Sequence, residues 1–354
     1  MAISKNSPGY AMAVVKDGKT VLTETAGLAD LDNGIPITTK TAFRLASLSK
    51  QFTAMAAMIL AERKKLILEN KLADFFPDYP TYGNQVTVRQ LLTHTGGIPD
   101  HEKPLYKSLR ATERSAAIFG TPRNDEENSE PTIYDALEIL KNQATPLFPP
   151  GTRYQYSDAG YVLLALIIEK ISGVSYREFL RQNIFSPLKM VNSDVLDQTK
   201  PRIKNRALGY RRMRLPRPAK GGARNDNVTF MKLDYDPLNY IVGDEGVYSS
   251  ITDMVKWNQT WDEEILVSRE SLAEAMAPAK LASGNFGKAG FSWLLGKFNG
   301  DEIIYQDGVW VGFKDIILRI PKRKIAVVML SNRTDLDTQR QRISIAYFAA
   351  QKFF

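Results

Sequence analysis

Ser47 and Lys50 stand three residues apart in the segment Phe43-Arg-Leu-Ala-Ser-Leu-Ser-Lys-Gln-Phe52. On a helix this spacing puts both side chains on one face, within hydrogen-bonding reach. A serine hydroxyl is a poor nucleophile until a base takes its proton, and a lysine serves as that base when burial disfavours its ammonium form. The run Phe52-Thr-Ala-Met-Ala-Ala-Met-Ile-Leu60 is apolar enough to bury the turn. Ser47 also falls where the helix begins, so its N–H is free to help bind an oxyanion. Taken alone, however, the better reading of Ser47 is a helix N-cap. A second Ser-x-x-Lys, Ser186-Pro-Leu-Lys189, reads as a simple turn because of its proline and polar setting.

The elements that must hold such a pair come from both ends of the chain. Tyr10–Val15 and Thr20–Thr25 are short β runs around the turn signal Asp17-Gly18. Phe291–Leu295 and Glu302–Gln306 flank Asn299-Gly300, and Phe313–Ile320 and Ile325–Leu330 flank Pro321-Lys-Arg-Lys324. Strands joined by short turns are antiparallel. The expected architecture is α/β (α+β), with one antiparallel sheet of at least five strands built from both termini. A helix from about Thr338, with Ile343, Tyr347 and Phe348 on one face, should cover it. The middle is mostly helical, at 47–63, 88–94, 133–143, 158–171 and 175–184. We therefore expect a sheet lobe of residues 1–60 and 240–354, a helical lobe of 61–239, and a site at their junction.

Two further segments favour the catalytic reading. Phe148-Pro-Pro-Gly-Thr-Arg-Tyr-Gln-Tyr-Ser-Asp-Ala-Gly-Tyr161 enters a helix from a rigid turn and presents Tyr156 just before it. Gly243-Asp-Glu-Gly-Val-Tyr-Ser-Ser-Ile-Thr-Asp-Met254 has paired glycines, then a capped helix. With Ser47-Leu-Ser-Lys50, their order and spacing resemble the serine β-lactamase and penicillin-binding protein superfamily. The nearest branch holds class C β-lactamases, family VIII carboxylesterases, D-alanyl-D-alanine carboxypeptidases and D-aminopeptidases. Leu91-Leu-Thr-His-Thr-Gly-Gly-Ile-Pro99 and Ile184-Phe-Ser-Pro-Leu-Lys-Met190 resemble that branch's other signatures. The resemblance implies a β-lactamase/transpeptidase-like fold and a serine hydrolase acting through an acyl-enzyme on Ser47. It also implies Lys50 as the activating partner, Tyr156 as the proton shuttle, and the N–H groups of Ser47 and Val309 as the oxyanion hole. A tyrosine acts as a base near neutral pH only when cations hold it as phenolate, since its free pKa is about 10.

Two positions depart from that pattern. Where the family has Tyr-x-Asn, this chain has Tyr156-Ser-Asp158. Asp158 either pairs with Lys50 and raises its pKa or serves as a helix N-cap. Where the family has Lys-Thr-Gly or His-x-Gly, this chain has Gln306-Asp-Gly308. Gly308 keeps a close backbone approach, while Gln306 carries no charge to bind a substrate carboxylate. An arginine from residues 202–224 is a possible substitute. Asp158, Gln306 and Gly308 are the expected substrate-binding residues. These departures favour ester or amide substrates with neutral or cationic acyl groups over β-lactams. A true β-lactamase or penicillin-binding carboxypeptidase is the alternative, and a binding protein that lost turnover is a third.

The rest of the sequence narrows the class. There is no cysteine, which excludes disulfides and thiolate chemistry. The two histidines, His94 in a structural turn and His101 in a polar loop between the surface charges Asp100 and Glu102, have no acid pair in register. They make a poor metal site, and His94 a poor triad member. No Gly-rich phosphate loop follows a strand, so no cofactor is expected. No apolar run is long enough to span a bilayer; the longest, Tyr161–Ile168, reads as a buried helix. The N-terminus lacks a signal-peptide pattern, and β structure starts by about residue 9, which leaves the compartment open between cytoplasm and cell envelope. Net charge is +8, and ten Lys or Arg residues with no acid lie between Lys200 and Arg224. The favoured reading of that segment is a solvated loop, with an anionic polymer contact as the alternative. Tyr210 is its only aromatic, which argues against nucleic acid.

Overall fold

Strands from the two ends of the chain pair with each other. A computed structural model describes residues 5–109, 130–213, 229–336 and 338–354. Six antiparallel strands form the main sheet: β1 (Tyr10–Lys16), β2 (Lys19–Ala26), β3 (Leu294–Phe298), β4 (Asp301–Trp310), β5 (Phe313–Ile320) and β6 (Ile325–Ser331). Their order is β3-β4-β5-β6-β1-β2. The fold class expected from sequence is therefore present, with one strand more than the minimum. Asp17 and Gly18 both adopt positive φ, at +48° and +75°, as do Asn299 and Gly300 at +48° and +86°. Positive φ at both central residues matches the twist of the flanking strands, which is why these turns close hairpins.

Strand β1 is buried on both faces because helices cover the sheet from each side. On one side Tyr10, Met12 and Val14 pack with Ile316 and Leu318 beneath α4 (Gln339–Gln351). Ile343 and Tyr347 of that helix point inward as expected, but Phe348 is exposed. Positions 343 and 347 are four apart and share a face, whereas 348 is turned about 100° away. On the other side Ala11 and Ala13 meet the larger core, built around α1 (Ser49–Glu62), α2 (Asp158–Ser172) and α3 (Ile251–Gln259). Helix α1 is buried without interruption from Ser49 to Leu60. Phe52 stacks on Trp257 at 4.0 Å, and the Trp257 indole donates to Gln51 at 2.9 Å.

Several elements had no clear sequence period. Phe43–Arg44, Val247–Ser249 and Asp194–Val195 form a small three-stranded sheet, and Glu102–Ser108 and Arg269–Ala275 are short helices. Tyr210–Met213 pairs with Thr229–Lys232, so the basic segment is not wholly a solvated loop. Arg206 turns inward onto Asp234 and Tyr248, while Arg211 and Arg212 are exposed. Residues 214–224 of that segment lie outside the described residues.

The sheet positions the nucleophile turn by contact. Ala46, just before Ser47, holds φ +47°, a left-handed conformation that costs a non-glycine residue about 1–2 kcal/mol. Strand β4 passes so close that a Cβ on Gly308 would lie 2.2 Å from the Leu45 carbonyl oxygen. Pairing of β3 with β4 ends at Leu294 and Tyr305, leaving residues 306–310 as an open edge beside that turn. Gly308→Ala should therefore displace β4 or the turn. A loss of about 1–3 kcal/mol is expected in urea unfolding; wild-type stability would contradict this contact.

Candidate active site

The turn Ala46–Leu48 is a single 3-10 turn that runs directly into α1. Leu48, not Ser47, occupies the N-cap of α1, and no side chain caps it. The capping role is thus corrected: the Ser47 hydroxyl accepts from Lys50 Nζ at 3.2 Å. Lys50 is fully buried. It also donates to the Asp244 carbonyl at 3.0 Å and pairs with Asp158 Oδ1 at 2.6 Å. Positive φ at Gly243 (+105°) and Gly246 (+94°) shapes the turn that presents this carbonyl. Tyr156 lies against the same ammonium, its ring centroid 5.1 Å from Nζ. Its hydroxyl interacts with both Lys50 and Ser47.

The cleft above Ser47 measures about 650 Å³ and is lined by Glu102, Tyr154, Tyr156, Asp158, Gln306, Val309 and Trp310, among others. Gln306 is nearly buried, and its amide donates to the Ser47 carbonyl at 3.3 Å. Gly308 is the contact point with the nucleophile turn, and Val309 is on the exposed rim. Every residue singled out from sequence for the site therefore converges here. No arginine of the described basic segment lines the cleft; among the described residues its lining includes one basic side chain, Lys288.

Charge distribution differs from the expectation for a base prepared by burial. Burial pulls the Lys50 pKa down, but Asp158, then Tyr156 and Asp244, outweigh it and hold the ammonium well above its ordinary value. Lys50 is charged at rest. Burial pushes the Asp158 carboxyl up, yet Lys50 outweighs it and keeps the group ionised below its ordinary value. Asp158 is not the N-cap of α2; Ser157 is, accepting from Gly160 N–H at 3.2 Å. Burial raises the Tyr156 pKa and Lys50 only partly opposes it. Tyr156 is a neutral phenol, not a standing phenolate.

The histidines were only partly legible. His94 stacks on Tyr156 at 4.5 Å, leans on Tyr161 at 5.0 Å, and accepts from Ser157 N–H through Nδ1 at 3.1 Å. Burial, helped by the Lys50 charge, lowers its pKa to about 3, so it is neutral. It braces the tyrosine, and no bond joins it to Ser47 among the described residues. His101 is corrected from a polar-loop residue to a buried one, 1% exposed. Burial lowers its pKa to about 4. Glu102 is no ordinary surface charge: burial, then Asp158 and Asp244, raise its carboxyl to about 8. Asp244 is raised to about 7 by burial against the pull of Lys50. Sequence spacing carried no signal for this grouping, because Asp244 reaches it from a distant turn.

An α/β fold with helices on both faces of an antiparallel sheet, and Ser-x-x-Lys with a facing tyrosine at the sheet edge, defines the β-lactamase/transpeptidase-like class of serine hydrolases. The Beta-lactamase family profile matches residues 2–352, and the chain belongs to that family. It is 30% identical over 328 residues to penicillin-binding protein 4* of Bacillus subtilis, covering 89% of this chain and 66% of that protein. It is 25% identical over 326 residues to a D-aminopeptidase of Cereibacter sphaeroides, covering 92% and 57%. The octameric penicillin-binding protein homologue from Pyrococcus abyssi superposes with a TM-score of 0.76 at 26% identity, covering 99% and 74%. The chain thus spans between about half and two thirds of the length of these curated relatives. No single helix among the described residues is long and apolar enough to cross a membrane.

The ion pair has a pH signature. With its folded-state value below the ordinary ~3.9, Asp158 stabilises the fold above that range and loses this contribution as pH falls through the lowered value. Lys50, raised, contributes at all pH below its ordinary ~10.4 and loses it only as pH climbs through the higher folded-state value. Asp158→Asn should flatten the acid side of the stability curve below about pH 4, read by urea unfolding at stepped pH. An unchanged slope there would contradict the pairing.

Proposed function

We propose that this protein is a serine hydrolase that forms an acyl-enzyme on Ser47, acting on esters or amides with neutral or cationic acyl groups. The observation that carries the reading is the 3.2 Å hydrogen bond from Lys50 to the Ser47 hydroxyl at the floor of an open cleft. In the reactive form Lys50 has lost a proton, and its amine takes the Ser47 proton as Oγ bonds to the acyl carbon. The oxygen that becomes negative accepts from the N–H groups of Ser47 and Val309, where losing one donor typically costs ~10²–10³ in rate. Tyr156, a neutral phenol, gives its proton to the leaving group as that bond breaks and regains one from the Lys50 ammonium. Water then enters by the reverse path: Lys50 takes its proton by way of Tyr156 as the water oxygen bonds to the acyl carbon, and when the acyl bond to Ser47 Oγ breaks the Lys50 ammonium returns a proton to Oγ, releasing the acid.

Substrate preference follows from the charges around the cleft. Among the described residues, Lys50, Arg44 and Arg342 are each committed to an acid of the lining, Asp158, Glu245 and Asp307, so none of the three is free to bind a substrate carboxylate. Gln306 offers no charge and is already bonded to the turn. A substrate carboxylate is disfavoured there, which supports neutral or amine-bearing acyl groups over β-lactams.

Fluorophosphonate labelling followed by mass mapping should give an adduct on Ser47 that Ser47→Ala removes. Turnover of p-nitrophenyl esters and D-amino anilides should exceed that of nitrocefin. Asp158→Asn should move the acid limb of kcat/KM to lower pH, because Asp158 is what holds the Lys50 proton. Labelling without turnover of any substrate would favour a binding protein; nitrocefin as the best substrate would favour a β-lactamase.

A further inference from the structure

Beneath the cleft lies a second, much smaller space. A cavity of about 10 Å³ is bounded by His101, Glu102, Leu238, Ile241, Asp244, Glu245 and Trp310. That volume is close to the minimum for one water or one small ion. One imidazole nitrogen of His101 and one carboxylate oxygen each from Glu102 and Asp244 lie within 4.8 Å of one another. His101 and Asp244 are 1% and 3% exposed. His101 Nδ1 and Asp244 Oδ1 are both buried with no hydrogen-bond partner. Buried polar atoms are rarely left so, and two of them border one ion-sized cavity.

We infer that His101, Glu102 and Asp244 form a divalent cation site. One imidazole and two carboxylates are ligands of borderline type, suited to Zn²⁺, Mn²⁺ or Co²⁺. Three ligands sharing one tetrahedral ion lie only ~3.3–3.6 Å apart, so groups near the 4.8 Å limit close by about an ångström when an ion binds. Three protein ligands leave a coordination position open. The absence of an acid pair in register with the histidines, which argued against metal in the sequence, is made good by Asp244 from the Gly243–Gly246 turn. The same residue offers its carbonyl to Lys50 at 3.0 Å, so the cation would be one residue's width from the Ser-Lys pair. The inference does not rest on turnover at Ser47.

Co²⁺ is a suitable probe, since its visible absorption reports ligand type and geometry. The chain has two histidines and no cysteine, and His94 Nδ1 already accepts from Ser157. An imidazole-ligated Co²⁺ spectrum therefore identifies His101. Calorimetry and absorption on the metal-free full chain should show one equivalent of Co²⁺ bound, with Zn²⁺ displacing it. Ser47→Ala should bind it unchanged. His101→Gln and Glu102→Gln should each weaken binding by more than the ~10–100-fold typical of outer-shell substitutions. Their folding is checked by circular dichroism, and the partly exposed Glu102 provides the variant less prone to unfold. No saturable uptake, or uptake unchanged in both folded variants, would overturn the site and leave a cavity that holds water.

Discussion

A fully buried ammonium governs this structure. Removing an ion of that size from water costs several kcal/mol even after relaxation, so Lys50 must be surrounded by compensating groups. Its partners come from three separate stretches of chain: Ser47 in its own turn, Tyr156 and Asp158 at the entry to α2, and the Asp244 carbonyl from a glycine-bounded turn. Each must arrive at the same point for the charge to be tolerated. The folding of sheet and helices is thereby tied to assembly of the site.

The second layer of constraint is aromatic. His94, neutral because it is buried, stacks on Tyr156 and anchors the backbone of Ser157 through the nitrogen opposite its N–H. Its φ of +57° is an uncommon conformation for a side chain of this size, and such strain persists where surrounding structure over-determines it. The Ala46 turn carries the same kind of strain on the other side of the pair. Two strained residues thus flank the hydroxyl and the phenol that face each other across Lys50.

The sheet was legible because its hairpins are marked by Asp-Gly, Asn-Gly and Pro-Lys-Arg-Lys, and because α1 and α2 are continuous apolar runs. Ser47, Lys50, Tyr156, Asp158, Gln306, Gly308 and Val309 were legible as a group because three segments carry them in a recognisable order. Sequence left two signs open for the electrostatics, a lysine deprotonated by burial or one held charged by Asp158, and the structure shows the ion pair. Sequence could not show that His101 and Glu102 turn inward, since a seven-residue helix has too little periodicity to reveal its buried face. Two-residue strands such as Asp194–Val195 were invisible for the same reason.

One consequence of the strand order concerns how the molecule can be made. Tyr10 pairs with Ser331, and β1 takes an interior place between β6 and β2. While the chain emerges from a ribosome, the outer edge of β1 in the β1–β2 hairpin stays unpaired until β6 has been synthesised. Unpaired edges invite association with other chains, and pairings so far apart in sequence are slow to close. Synthesis of the β5–β6 hairpin is therefore the step that pairs this edge of β1, so early folding of the first strands leaves it unprotected until residues 313–331 have been made.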